Sequence, residues 1–507
     1  SPRKQDMYQY LVNVYTTMRN YKSAMESIDR IEEKDFKMKN AYQIMAYNHG
    51  VELFENGEMD KAIEAFGVVK RYPIDPKLNA MSLYWIAEAS FKKADYPTAI
   101  SQYRTFLDEP GGYGVIEHND AYYNMAYAYF KQQDYANAIQ HFRTFTQDET
   151  ESHKEKITDA YLRIGDCYFV RKPNDTPKPD DDNAILFYQK AIATGGGQMD
   201  YAKYQIGLSY GFKKQYTDKA SIMLDIVNNH ARSGLAVPAL YEAGESYRLM
   251  SDSDDPSHKD KAIKYYKQLI QDHPKHVKVV DAIFQIGNIH LFSKEYSLAE
   301  KQFLRVVNEY PASEKFPEAL ERLRDVYTAM NRTDDYVKLL ANLEIDIDVS
   351  EKDELMYEGA YRAYEDSVFD DAAASFKKYL DEFAHPNHEI NALFYMADSY
   401  RQLGELELSA AAFKKLLEKP TNFYTEEAAG IASTDEYQAG NYEKAAKYFE
   451  ILDNNASYPE NKLKAEIGLM RCYTFLEELG IAAEYAKKVL ADPLALDNVK
   501  VEAHYVI

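Results

Sequence analysis

The segment Val277–Pro311, VKVVDAIFQIGNIHLFSKEYSLAEKQFLRVVNEYP, shows the hydrophobic pattern from which the fold can be predicted. Apolar residues recur every three or four positions in two segments around a short polar turn, which predicts two amphipathic helices. Gly287 on the first helix precedes Ala299 on the second by twelve residues, and Phe303 follows four residues later. Residues four apart share a helix face, so the small residues allow close approach of the helices while Phe303 fills the adjoining space.

The same spacing recurs about thirteen times along the chain. The residue that opens the second helix of each unit, alanine in most of them, recurs at intervals of 33 to 46 residues: Ala24, Ala62, Ala99, Ala138, Ala184, Ala220, Ala262, Ala299, Leu339, Ala372, Ser409, Ala445 and Ala482. One hairpin cannot bury its own apolar face, whereas a stack of hairpins buries a continuous core. The sequence therefore predicts an all-α solenoid of tandem helical hairpins.

The positions of Gly287, Ala299, Phe303 and Pro311 resemble those of the tetratricopeptide repeat superfamily, whose unit has 34 residues. The resemblance implies a right-handed superhelix whose first helices line a concave groove for an extended or helical peptide. Units closed by Tyr-Pro are similar to the bacterial cell-envelope branch of that superfamily, which includes outer-membrane assembly lipoproteins and Tol-Pal accessory proteins. That likeness implies the periplasm or cell envelope as the location, with the cytoplasm as the alternative.

Composition excludes several classes of partner. The 507 residues include 82 acidic and 60 basic side chains, a net charge of -22, which disfavours nucleic acid and anionic lipid. No run of 18 apolar residues occurs, so no membrane-spanning helix is expected. Cys167 and Cys472 occupy the same position in distant repeats, which predicts two buried thiols and no disulfide.

The length of the chain exceeds that of an ordinary compact domain. The helical period fails near Leu343–Ser350, which predicts an N-terminal sub-array, residues 1–345, and a C-terminal sub-array, residues 346–507. The chain begins Ser-Pro-Arg-Lys and ends in the helix-like VEAHYVI, so we expect a piece of a longer array, with any targeting signal outside it.

A stripe of aromatic residues is the clearest positional signal for function. It lies three residues before the small residue of the first helix and comprises Tyr47, Tyr84, Tyr123, Tyr204, Tyr241, Phe284, Tyr357 and Phe394. Tyr127 and Asn288 each follow the small residue of their own unit. We predict that these ten residues contact a protein or peptide partner, because rigid aromatic rings provide contact area at small entropic cost. The alternative is packing between repeats, which is typical of aromatics at helical spacing.

Acidic residues also follow the small position, at Glu88, Asp166, Glu245 and Asp398. They could recognise polar groups of a partner, or they could form a solvated face. The pattern at these positions leaves both interpretations open.

No pattern of catalytic or ligand-binding residues is found. The acidic segments Asp180–Asp182 and Asp252–Asp255 lack the alternating ligands of an EF-hand, and Gly195–Gly197 lacks the Lys-Ser/Thr of a P-loop. No metal ligand, cofactor or catalytic residue is therefore expected. The sequence predicts a non-enzymatic protein-interaction scaffold, with a structural subunit of a bacterial cell-envelope assembly as the alternative. A regulatory arm of an enzyme would require a catalytic domain elsewhere, and the oligomeric state stays open.

Overall fold

The computed structural model describes residues 6, 7, 10, 12–14, 17–147, 154–170, 180–251 and 255–507. Within these ranges the chain is helical and contains no β-strand. The α-helices are α1 Tyr21–Asp29, α2 Phe36–Glu55, α3 Met59–Val68, α4 Pro76–Lys92, α5 Tyr96–Asp108, α6 Glu117–Lys131, α7 Tyr135–Phe145, α8 Lys154–Phe169, α9 Asp181–Thr194, α10 Met199–Phe212, α11 Tyr216–Asn229, α12 Ala236–Met250, α13 Ser257–Asp272, α14 Lys278–Phe292, α15 Tyr296–Glu309, α16 Phe316–Ala329, α17 Thr333–Asn342, α18 Val349–Glu365, α19 Phe369–Glu382, α20 Glu389–Gln402, α21 Leu406–Leu417, α22 Thr425–Gln438, α23 Tyr442–Asn455, α24 Pro459–Phe475, α25 Leu479–Ala491 and α26 Asp497–Val506. Two 3₁₀ turns, Val69–Arg71 and Pro110–Gly112, follow α3 and α5.

Consecutive helices form the predicted hairpins, from α2–α3 to α24–α25. Every residue predicted to open a second helix lies on one, from Ala24 on α1 to Ala482 on α25. The second helix of one hairpin also packs on the first helix of the next, as α5 does on α6 and α23 on α24. This arrangement confirms the all-α repeat fold.

The small residue of the first helix is required by ring packing. A Cβ atom added to Gly287 on α14 would lie 2.6 Å from the ring of Phe303, which is fully buried on α15. The same ring-on-glycine contact recurs in the pairs Gly50–Phe66, Gly165–Tyr188 and Gly244–Tyr266. The small residue in the sequence pattern is therefore explained by the close approach of the two helices of a hairpin.

The turn inside each hairpin requires a left-handed residue. It lies five positions before the anchor in most units, and its φ is +81° at Gly57, +60° at Ala94, +64° at Gln133 and +61° at Glu477. A left-handed conformation costs a non-glycine residue about 1–2 kcal/mol. The sequence does not mark this position clearly, because only some units place glycine there.

The chain divides into two compact units, Ser1–Lys278 and Val279–Ile507. A non-helical connection, residues 343–348, separates α17 from α18 inside the second unit, where the helical period of the sequence fails. The division into sub-arrays at residue 345 stays a prediction. Cys167 and Cys472 are buried free thiols, as expected.

Candidate protein-binding surface

The first helices of neighbouring hairpins touch one another within each unit, as α2 touches α4 and α22 touches α24. We call the surface that they form the first-helix face. The predicted aromatic stripe lies on these helices. Tyr84, Phe284, Tyr357 and Phe394 are buried, whereas Tyr47, Tyr123, Tyr127, Tyr204, Tyr241 and Asn288 are half-buried.

Most stripe rings pack against the bulky aromatic residue of their own second helix. The ring centroids are 5.8 Å apart in Tyr47–Phe66, 6.0 Å in Tyr84–Tyr103, 5.8 Å in Tyr123–Phe142, 5.5 Å in Tyr241–Tyr266, 5.5 Å in Phe284–Phe303, 6.0 Å in Tyr357–Phe376 and 6.1 Å in Phe394–Phe413. Tyr204 packs instead on a cluster that includes Met223 and Ile226. Packing within the hairpin thus buries part of the surface of each ring. Contact of these rings with a partner stays a prediction.

The hydroxyl groups of the stripe reach the next repeat. Tyr47 Oη accepts a hydrogen bond from Trp85 Nε1 at 2.9 Å, and Tyr84 Oη accepts one from Asn124 Nδ2 at 3.2 Å. These bonds join first helices of adjacent hairpins, so the stripe also holds neighbouring repeats in register.

The acidic residues beside the small position are not a solvated face. Tyr103 Oη donates to Glu88 Oε1 at 2.5 Å, and Tyr188 Oη donates to Asp166 Oδ1 at 2.8 Å. Asp166 is buried and Glu88 is half-buried.

Glu245 repeats the arrangement and accepts from the hydroxyl of Tyr266 at 2.8 Å. The sequence carries a signal for these three contacts. In all three units the bulky residue of the second helix is Tyr and not Phe, so its hydroxyl needs an acceptor inside the hairpin.

Burial shifts the pKa of these carboxyl groups upward, and neighbouring groups oppose that shift. It raises the pKa of Glu88 and of Asp166 above the ordinary values, against the opposing hydrogen bonds and neighbouring charges. Burial has the same effect on Glu245, but the hydrogen bond and ion pair with Arg248 outweigh it, so the pKa of Glu245 is lowered. Arg248 Nε lies 2.8 Å from Glu245 Oε2.

A polar chain crosses the first-helix face from α6 to α10. Tyr127 Oη donates a hydrogen bond to Asp159 Oδ2. Arg163 joins two carboxylates, because its Nε lies 3.4 Å from Asp159 Oδ1 and its Nη1 lies 2.5 Å from Asp166 Oδ2. Tyr201 on α10 donates to Asp166 Oδ1 at 2.8 Å. Tyr123 also donates to Asp159, at 2.8 Å.

Two predicted site residues retain unused hydrogen-bonding capacity. Asn288 Oδ1 is buried and accepts no hydrogen bond from a described residue, while its Nδ2 donates to Gln285 Oε1 at 3.3 Å. The hydroxyl of Tyr204 makes no hydrogen bond to the described part of the chain, and burial raises the pKa of that hydroxyl to about 12. The Tyr204 hydroxyl could donate a hydrogen bond to a partner or accept one from it.

The residues considered for ions have structural roles where they are described. Asp180 caps the N-terminus of α9 by accepting from the backbone N–H of Asn183 at 3.0 Å, and Gly195 ends α9 with a φ of +70°. Residues 252–254 lie outside the described part of the chain, as do residues 172–179 of the loop before α9. In the described ranges no group of three or more His, Cys, Asp or Glu side chains is placed to hold a metal ion.

The described helices include none that is both long enough and apolar enough to cross a membrane. The sequence matches the family model of the tetratricopeptide repeat over residues 120–152, 238–276 and 391–421. These segments cover α6–α7, α12–α13 and α20–α21, three of the hairpins described above. These three segments are thus identified as tetratricopeptide repeats. A search of curated proteins finds no match.

Several solved structures are similar to the chain at low identity. One is the C-terminal part of a TPR repeat-containing protein from Cytophaga hutchinsonii, with 16% identity and a TM-score of 0.42 over 54% of this chain and 99% of that one. Another is Naa15/Naa10 bound to HypK-THB, with 14% identity and a TM-score of 0.38 over 95% of this chain and 68% of that one. The P58(IPK) TPR domain has 10% identity and a TM-score of 0.23 over 86% of this chain and 98% of that one. Similarities at this level do not indicate a shared function.

Proposed function

We propose that the protein is a non-enzymatic scaffold that binds a peptide segment or helix of a protein partner along its first-helix face. The observation that carries the proposal is the recurrence of half-buried tyrosines there, with ring edges held in place by their own hairpins. Rings that are already packed lose little entropy when a partner contacts them. The Tyr204 hydroxyl adds a polar group with which a partner could form a hydrogen bond.

Binding would be the sum of several shallow contacts within a unit, contributed by the half-buried stripe tyrosines and the polar groups beside them. The net charge of -22 favours a neutral or basic partner over an acidic one. This mechanism needs no cofactor, no metal ion and no reacting group.

The test is selection of peptides from a displayed random 12-residue library on the immobilised chain. Selected peptides should lose binding to Tyr204→Lys in the first unit or to Asn288→Lys in the second, because each change places a long, charged side chain on the first-helix face. Leu186→Lys is the matched control, since Leu186 is 44% exposed on the second helix α9. Circular dichroism and melting of each variant check the fold. Selected peptides that bind all three variants equally would contradict the proposal.

The second candidate is a structural subunit of a bacterial cell-envelope assembly that uses the second helices. A groove of about 780 Å³ between α21 and α23 favours it, with Leu406, Ala410, Leu417, Tyr448 and Ile451 among its lining residues. Light scattering after size exclusion distinguishes the two proposals. A stable homo-oligomer that Ala410→Glu dissociates favours assembly, whereas a monomer at micromolar concentration favours the scaffold. Recovery of the chain in an envelope fraction would test the predicted location.

A further inference from the structure

Three repeats of the second unit have no ring at the stripe position, which holds Arg324, Gly430 and Ile467, and only the repeat with Gly430 has no side chain there. Ser433 is the small residue of α22, twelve positions before Ala445, and the position three residues earlier is Gly430. The equivalent position in the hairpin before it holds Phe394, a buried ring. The aromatic stripe of the first-helix face is therefore interrupted at Gly430.

A Cβ atom would fit at Gly430 without displacing its neighbours. A Cβ atom added to Gly430 would meet Lys464 Nζ at 3.7 Å and the Leu452 side chain at 3.9 Å, which are ordinary contacts. Gly287, by contrast, is a glycine because a ring lies against it. Gly430 thus differs from the glycines that helix packing explains.

An open cavity of about 670 Å³ adjoins Gly430 between α22 and α24. Its lining includes Ile431 on α22, Lys464 on α24, and two aromatic side chains from the loops, Phe423 and Tyr458. Phe423 is 89% exposed and Tyr458 is 66% exposed. Large rings at this exposure are typical of binding surfaces when they adjoin a cavity.

At some other stripe positions, a lysine from the following repeat lies near the stripe ring. The ammonium of Lys156 lies 5.8 Å from the ring centroid of Tyr123, and that of Lys315 lies 5.2 Å from the ring centroid of Phe284. Lys464 stands 34 residues after Gly430, a separation like those of the two pairs, which are 33 and 31 residues. At Gly430 the corresponding lysine, Lys464, is present, but there is no stripe ring for it to contact.

In place of a contact with a ring, the Lys464 ammonium makes a single hydrogen bond to the described residues. The side chain is exposed overall, and its Nζ donates to the backbone oxygen of Gly430 at 2.8 Å. It forms no ion pair with a described residue, whereas the neighbouring Arg471 is bound by Glu502 at 2.7 Å. Glu426, which also lines the cavity, already accepts bonds from Ser457 N and Asn461 Nδ2.

We propose that the cavity over Gly430 receives an aromatic side chain of the bound peptide, which takes the place of the missing stripe ring and lies against the Lys464 ammonium. This inference rests on the proposed function and names the chemistry of one contact. A cation beside a ring face contributes roughly 0.5–2 kcal/mol, and most with Trp. The remaining ring area would lie against Ile431 and Tyr458.

The experiment uses N-acetyl-5-fluorotryptophan amide as the probe and its ¹⁹F line width as the readout, with the full chain. The wild type should broaden the line at millimolar probe, and N-acetyl-tryptophan amide should reverse the broadening while N-acetyl-leucine amide should not. Gly430→Tyr, which supplies a ring from the chain itself, should reduce the broadening at least tenfold. Lys464→Gln should reduce it about threefold.

The controls separate occupancy of the cavity from loss of fold. Gly67→Tyr is the matched variant, because Gly67 is an exposed helical glycine on α3 with open space around it. Gly430→Tyr should melt at or above the wild-type temperature. Absence of broadening with the wild type, or equal broadening with a folded Gly430→Tyr, overturns the inference. Library peptides that bind both the wild type and Gly430→Tyr would overturn this inference alone, whereas failure to select any peptide counts against the proposed function.

Discussion

A pair of glycine substitutions tests the packing argument behind the whole repeat. Gly287 and Gly430 both lie inside first helices of the second unit, so Gly→Ala removes the same backbone freedom at each. They differ in their surroundings, because a Cβ at Gly287 meets the Phe303 ring at 2.6 Å and one at Gly430 meets nothing closer than 3.7 Å. The two variants should therefore change stability in different directions.

The magnitude follows from two terms. Alanine is favoured over glycine in a helix interior by about 1 kcal/mol, and this gain is common to both sites. At Gly287 the fully buried ring of Phe303 must move, and overpacking of this kind costs about 1–3 kcal/mol. We expect Gly430→Ala to be about 1 kcal/mol more stable than wild type, and Gly287→Ala to be up to about 2 kcal/mol less stable.

Urea unfolding monitored by hydrogen exchange of peptides from α14–α15 and α22–α23 provides the measurement, since long repeat arrays need not unfold in one step. A double-mutant cycle with Phe303→Leu serves as the control, because the smaller side chain should recover at least about 1 kcal/mol of the cost at Gly287. Equal stabilisation by the two alanines would refute the close-approach reasoning. Absence of coupling to Phe303 would do the same.

Three further outcomes are expected. Burial raises the pKa of Glu88 above its ordinary 4.5, so the folded state holds that proton more tightly. The stability conferred by protonation is therefore full below pH 4.5 and is lost as pH rises through the folded pKa. Urea unfolding between pH 4 and 8 should show a smaller loss in Glu88→Gln than in the wild type, because Asp166, whose pKa is also raised, still contributes to the loss; an equal loss in both proteins would contradict the reasoning. Burial raises the pKa of the Cys472 thiol to about 11, so Cys472 and the buried Cys167 should resist iodoacetamide at pH 8 until denaturant is added, and rapid native labelling of either would contradict the assigned burial. Glu477→Gly should raise the melting temperature, because Glu477 has a φ of +61°, a left-handed conformation whose free-energy cost is smaller for glycine. A stabilisation of up to about 1 kcal/mol is expected, whereas Glu478→Gly, at the adjoining N-cap of α25, should show none.

The repeat, its length and the two helices of each hairpin could all be predicted from the pattern of residues. Gly287, Ala299 and Phe303 could be read correctly because their contact lies inside one hairpin, where separation along the chain sets separation in space. It also located the aromatic stripe on the first helices. The left-handed turn residue, such as Ala94 or Glu477, escaped prediction because side-chain identity records backbone conformation weakly outside glycine.

The contacts that polar groups of the first-helix face make between hairpins could be found only in the structure. Asp166 follows the small residue of α8 in the sequence, yet it also accepts a hydrogen bond from Tyr201 on α10, in the next hairpin. The meaning of Gly430 likewise depends on Lys464 from the following repeat. Contacts between helices and repeats are set by how the hairpins stack, so a spacing rule within one hairpin cannot tell a glycine that accommodates a ring from a glycine that leaves space for one.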